Sequence, residues 1–141
     1  MLNYKHILFA IEHDDRAVPA LKRVMTFADK FGAKVSLVHA VTPFSTAYTY
    51  GGPMMMPNID GEIKKGATLY LQSIAEKMKL PKGQTHVLYG KVTQSILDFA
   101  EAEHCDVIIL NGHKHNALGR VFSTADDLVN QSKCDVIILK D

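Results

Sequence analysis

Cys105-Asp106-Val107-Ile108-Ile109-Leu110 recurs almost unchanged as Cys134-Asp135-Val136-Ile137-Ile138-Leu139, 29 positions further on. Near-continuous runs of Ile, Val and Leu suit strands covered on both faces, the condition of a parallel sheet flanked by helices. An interval of about 30 residues with a helical stretch inside it is the size of one β-α-β unit. The two copies therefore read as neighbouring parallel strands, Asp106–Leu110 and Asp135–Lys140, each with a small buried cysteine at its start. Between them a short helix is expected over Thr124–Ser132, capped by Ser123 or Thr124.

The same alternation extends outward in both directions. Lys5–Ile11 reads as a first strand and Ala17–Phe31 as a helix, with Leu21, Val24, Met25, Ala28 and Phe31 on one face. Asp14 or Asp15 is placed to cap that helix and Gly32 to end it. Lys34–Val41 is a second strand. Glu62–Met78 is a helix with Leu71, Ile74, Ala75 and Met78 inward. Pro81-Lys82-Gly83 is a turn into a third strand, Thr85–Tyr89. Val92–Glu103 is a helix with Ile96, Leu97, Phe99 and Ala100 inward.

This order of elements predicts an α/β fold with a single domain over residues 1–141. The sheet is open, parallel and five-stranded with helices on both faces; right-handed crossovers leave few topologies, of which strand order 3-2-1-4-5 is the expected one. Ligands of such sheets bind beyond the carboxyl ends of the strands, where the strand order reverses. Three segments leave from those ends: Glu12-His13-Asp14-Asp15, Thr42–Gly61 and Asn111–Ser123. The last two are long for connections in a compact domain, so a functional or mobile role is expected of them. Met54-Met55-Met56 in the longer one suits a flexible apolar lid, a partner surface or packing over a sheet edge.

Composition narrows the function. The 141 residues include 47% apolar and 22% charged residues, as ordinary globular chains do. Sixteen Lys and Arg against fifteen Asp and Glu leave a net charge of +1 and no basic stripe for nucleic acid. No apolar run is long enough to span a membrane, and the N-terminus has no apolar leader. A cytoplasmic, reduced setting is therefore expected for the two cysteines, without a disulfide.

Several motifs are absent. Gly90-Lys91 is followed by Val92 and has Thr85 where a phosphate-binding loop needs its first glycine, and Ala10-Ile11-Glu12-His13 lacks a dinucleotide fingerprint. No nucleophile, base and orienting group can be named together, so no catalytic residue is expected. Asp14-Asp15 and Asp126-Asp127 are expected at helix ends, where their charge meets the helix dipole, and not as catalytic pairs. The densest polar cluster is Asn111-Gly112-His113-Lys114-His115-Asn116. His113 and His115 have no carboxylate or thiol near them in sequence, so no metal is expected. Lys114 and Arg120 are placed to hold an anion near the start of the last helix.

The chain resembles the universal stress protein family. Tyr4-Lys5-His6-Ile7-Leu8-Phe9-Ala10-Ile11 resembles the family's first strand and Val35-Ser36-Leu37-Val38-His39-Ala40 its second. Cys105 to His113 resembles the fourth strand and its glycine turn, and Gly119 to Leu139 the closing loop, helix and strand. The resemblance covers the chain apart from Thr42–Gly61. It implies a Rossmann-like fold of the adenine nucleotide alpha hydrolase kind, and a homodimer paired through the last strand, Val136, Ile137, Ile138 and Leu139.

The family has an ATP-binding type with the pattern G-x-x-G-x9-G-[ST] after the fourth strand. Placed on Gly112, the pattern meets His115, Ala125 and Asp126 at its three remaining positions. Glycines let backbone approach phosphate closely, and a histidine side chain fills that space. A carboxylate repels a phosphate by roughly 4 kcal/mol at about 4 Å and an effective dielectric of about 20. The acidic residue that contacts nucleotide in that type corresponds to Glu12, one methylene longer than the usual Asp. Gly112-His113-Lys114-His115 and Ser123-Thr124 are closer to the other type, which resembles universal stress protein A. This type is associated with stress survival without an established reaction, and is phosphorylated on Ser or Thr; Ser45–Tyr50 offers hydroxyls but no assigned site. The expectation is a non-catalytic, dimeric stress-response module with no cofactor. The alternative is an ATP- or AMP-binding member that senses or slowly hydrolyses nucleotide. Either way the resemblance places a nucleotide or anion pocket at Ala10, Glu12, Ala40, Gly112, His113, His115, Ser123 and Thr124.

Overall fold

The computed structural model of the chain describes residues 3–12, 16–43, 59–81, 83–111 and 118–140, the last stretch with side chains from Thr124 onward. Five strands and four helices alternate among them: β1 (His6–Ala10), α1 (Ala17–Phe31), β2 (Lys34–Val41), α2 (Ile59–Met78), β3 (Thr85–Tyr89), α3 (Val92–Ala102), β4 (Val107–Asn111), α4 (Leu118–Gln131) and β5 (Asp135–Leu139). The strands form one parallel sheet in the expected order, β3-β2-β1-β4-β5.

Successive residues of each strand feed opposite faces of the sheet. Ile7, Phe9, Val107 and Ile109 join Leu21, Val24 and Ala28 of α1 and Leu71 and Ile74 of α2. Leu8, Val38, Ile108 and Leu110 join Ile96 and Ala100 of α3 and Ala125 and Leu128 of α4. The central strands bury four successive residues each, His6–Phe9, Val35–Val38 and Val107–Leu110, and the edge strands β3 and β5 are half-buried along their whole apolar run. Each fully buried Leu, Ile or Phe in such a core contributes about 1.5–3 kcal/mol.

The repeated aspartates tie down the amino ends of the strands. Asp106 Oδ2 accepts the backbone N–H groups of Lys5 and His6 at 2.6 and 2.8 Å. Asp135 Oδ2 accepts the Tyr4 hydroxyl at 2.7 Å, and Tyr4 stacks edge-on to Phe31 of α1. Beside Asp106, the buried His6 ring has Nε2 at 2.7 Å from Ser36 Oγ and Nδ1 at 3.0 Å from the Glu103 carbonyl. A carbonyl only accepts, so Nδ1 carries the proton and Ser36 donates to Nε2.

α1 ends on Gly32 in the left-handed conformation (φ 64), from which its N–H reaches back to the carbonyls of Ala28 and Asp29. Arg16 occupies the N-cap; Asp14 and Asp15, the expected caps, lie outside the described residues. α2 begins at Ile59, three residues before Glu62, because Asp60 and Glu62 in its first turn complement the helix dipole. Cys105 is buried as expected, whereas Cys134 on the sheet's edge side is half-exposed.

The largest correction concerns the last helix. It runs from Leu118 to Gln131 and does not start at Thr124. The i, i+4, i+7 spacing that buries Ala125 and Leu128 begins at Val121 in the sequence, so the amphipathic period continues through the expected cap. Ser123 and Thr124 are thus inside the helix and are not its caps. Asp126 and Asp127 stand exposed near its middle, not at an end.

Candidate functional site at the carboxyl edge of the sheet

The connection from β1 leads to β2 on one side, and β4 and β5 lie on the other, so the order reverses between β1 and β4. In open parallel sheets such a reversal is where ligands bind, beyond the carboxyl ends of the strands. Ala10 closes β1 in register with Val38 and Leu110, and Ala40 precedes the last residue of β2. Both are half-buried and pack on the α3/α4 side of the sheet, where their methyl groups leave room that larger side chains would fill. Asn111 ends β4, half-buried, in register with Leu139.

The backbone leaving β1 is held from two directions. Ile11 N–H donates to the Val38 carbonyl at 2.9 Å, continuing the ladder one residue past β1. The Ile11 carbonyl is 2.8 Å from His39 Nδ1, and the Glu12 carbonyl accepts the Tyr70 hydroxyl at 3.0 Å. The His39 and Tyr70 rings meet edge-on at 5.6 Å. β2 and α2 thereby clamp the turn after β1 and leave the Glu12 side chain exposed.

A second group stands at the end of β3. Lys64 Nζ lies 4.1 Å above the Tyr89 ring, a cation–π contact worth about 0.5–1 kcal/mol at an exposed site. The Tyr89 hydroxyl is shut off from solvent. Burial and the neighbouring Asp60 carboxylate, which disfavours a second negative charge, push its pKa up to about 12. Gly90 N–H donates to the Val41 carbonyl at 3.0 Å and closes the β2–β3 end of the edge.

Of the residues expected in the pocket, Ala10, Glu12 and Ala40 lie together along the carboxyl ends of β1 and β2. Thr124 is half-buried within α4. Gly112, His113 and His115 lie outside the described residues, as do Lys114, Met54-Met55-Met56, Ser45–Tyr50 and the side chains of Arg120 and Ser123. Among the described residues no group of three His, Cys, Asp or Glu side chains gathers as a metal site requires. No helix among them is long and apolar enough to cross a membrane.

His39, Tyr70, Asp60, Lys64 and Tyr89 do not stand out in the sequence. His39 was visible only as one position of a strand, and Tyr70 as the neighbour of the core residue Leu71. β2 and α2 bring His39 to Tyr70, α2 and β3 bring Asp60 and Lys64 to Tyr89, and no spacing along the chain encodes either meeting.

Comparison with known proteins agrees with this geometry. The sequence model of the universal stress protein family matches residues 3–140. Universal stress protein A homolog 1 of Coxiella burnetii is 29% identical over 115 residues, which is 79% of this chain and 78% of that protein. A universal stress protein A homolog of Haemophilus ducreyi is 30% identical over 110 residues, 78% of this chain and 77% of that one. Among solved structures, a universal stress protein from Lactobacillus plantarum superposes with a TM-score of 0.71 at 23% identity, covering 99% of both chains. A universal stress protein crystallised in complex with cAMP superposes with a TM-score of 0.68 at 17% identity, covering 98% of both. The sheet order and a match running nearly from end to end lead to one assignment: the chain belongs to the universal stress protein family.

Proposed function

We propose that the protein is a non-catalytic stress-response module of the cytoplasm, working as a homodimer, whose site at the strand ends does not hold ATP tightly. The observation that carries this reading is the course of α4. In an α-helix only the first four N–H groups lack an internal partner. With Leu118 as the first residue, the N–H groups of Thr124, Ala125 and Asp126 are committed to carbonyls inside the helix. Ala125 and Asp126 stand where the glycine pattern has its last Gly and its Ser or Thr. Ala125 is 3% exposed and faces the core, and Asp126 adds an exposed negative charge. The dimer rests on β5, an edge strand whose half-buried Val136, Ile137, Ile138 and Leu139 pair with β4 on one side only. An apolar edge of that kind favours pairing with a second strand.

A second reading is nucleotide sensing or slow hydrolysis with ATP or AMP. The small Ala10 and Ala40 at the reversal favour it, with the exposed Glu12 and the cAMP complex of a structural relative. Calorimetric titration with ATP and magnesium separates the two. The expected result is no saturable heat at ATP concentrations up to about 100 µM, a binding free energy weaker than about −5.5 kcal/mol. A dissociation constant of about 1 µM, or −8 kcal/mol, that is lost in Gly112→Val would establish the second reading.

A further inference from the structure

The opposite end of the sheet carries a second feature. The repeated C-D-V-I-I-L stretch brings its two cysteines to one place. β4 and β5 pair with Val107 opposite Asp135. Both cysteines stand just ahead of that paired stretch, Cys134 directly before Asp135 and Cys105 two positions before Val107.

Both thiols are free, and both line one cleft of about 250 Å³ between α3 and the end of α4, with Leu97, Ala100 and Gln131 in its walls. Both pack on the α3/α4 core. Cys134 is half-exposed, with Ser132 Oγ 3.2 Å from its sulfur. Cys105 is buried, its sulfur 3.7 Å from His6 Nδ1, whose proton goes to the Glu103 carbonyl. Cys134 is the more accessible of the two thiols that line the cleft.

We propose that this cleft is a thiol modification site, at which a small hydroperoxide oxidises Cys134 and Cys105 then closes an intramolecular disulfide. The Cys134 thiolate attacks the terminal peroxide oxygen; the S–O bond forms and the O–O bond breaks. The departing alkoxide or hydroxide takes up the proton that Cys134 released and leaves as alcohol or water. The Cys105 sulfur then attacks the sulfenic sulfur; the S–S bond forms and the S–O bond breaks. The hydroxide leaves as water with the proton of the Cys105 thiol. Two thiols lose two electrons and one peroxide gains them. Burial, reinforced by the nearness of Cys134, pushes the Cys105 thiol up to about 12, so Cys105 is not the thiol that meets peroxide first.

The test treats the reduced full chain with hydrogen peroxide and follows intact mass and non-reducing peptide maps. The expected product is a monomolecular species lighter by about two mass units, reversed by dithiothreitol, with Cys105 and Cys134 on one linked peptide pair. Cys105→Ser is expected to accumulate a dimedone-trappable sulfenic acid on Cys134. Cys134→Ser is expected to react at least about tenfold more slowly. Wild-type protein that keeps both thiols, that forms sulfinic acid on Cys134 without the mass loss, or that links two chains instead of one would overturn the proposal. The wild-type readout stands on its own, so a poorly folding variant does not blunt it.

Discussion

Asp106→Asn changes one atom group of the repeated stretch and asks whether its carboxylate fastens β1 to the start of β4. In the native chain that carboxylate accepts two backbone N–H groups, from Lys5 at 2.6 Å and His6 at 2.8 Å. Hydrogen bonds to an ionised partner contribute about 1.5–3 kcal/mol each when well shielded. Asp106 is only half-buried, so water competes and an amide oxygen keeps part of the interaction; the expected loss is about 1–2 kcal/mol. For a chain of this length that is a fall in Tm of roughly 3–8 °C at pH 7. The two N–H groups hold the carboxyl of Asp106 below its usual pKa. A group with a depressed folded pKa contributes stability above its unfolded value, near about 3.9, and loses it as pH falls through the folded value. The amide mimics the protonated acid, so the melting curves of the two proteins should converge in that acid window. Thermal denaturation followed by circular dichroism from neutral pH into acid reads both effects. A difference under about 1 °C at pH 7, or one that persists unchanged into acid, would refute the reasoning.

Two further outcomes are expected. Alkaline spectrophotometric titration should show one tyrosine ionising near pH 12 that is missing in Tyr89→Phe and moves toward the ordinary tyrosine value in Asp60→Asn. Since that folded pKa is raised, its contribution to stability is intact below about pH 10 and lost as pH climbs to the folded value; an ordinary Tyr89 titration would contradict the placement of Asp60. Sedimentation equilibrium at micromolar protein should give the mass of two chains, and a monomer there would remove the β5 pairing from the proposed assembly.

Much of the fold is legible because its determinants are local and periodic. The runs Val107–Leu110 and Val136–Leu139 announce buried parallel strands, and the stripe from Leu21 to Phe31 announces a helix that Gly32 must end. The start of α4 was misread because Ser123 and Thr124 have the chemistry of a cap, and a hydroxyl at that point looks the same in sequence whether it caps a helix or rides inside one. The apolar spacing of Val121, Ala125 and Leu128 in the sequence is the stronger signal. Local capping preference is worth about 1 kcal/mol, less than burying Leu128 completely.

The candidate site was legible only in part. Ala10, Glu12 and Ala40 could be placed because strand ends follow from strand boundaries; the alternation of elements gives a parallel sheet, and packing sets where its strand order reverses. The clamp of His39 and Tyr70 on the Ile11 and Glu12 carbonyls depends on how α2 lies against β2. The same holds for the nearness of Cys105 to Cys134, which the sequence displays 29 positions apart. By itself the sequence determined the elements, the parallel sheet and the end of it where ligands would meet the chain, since hydrophobic periodicity and turn chemistry are written residue by residue. Only the tertiary structure decided which side chains face one another across elements, and that α4 takes its own N–H groups into helical bonds; contact through space depends on packing and register, and neither is recorded in the spacing of residues along the chain.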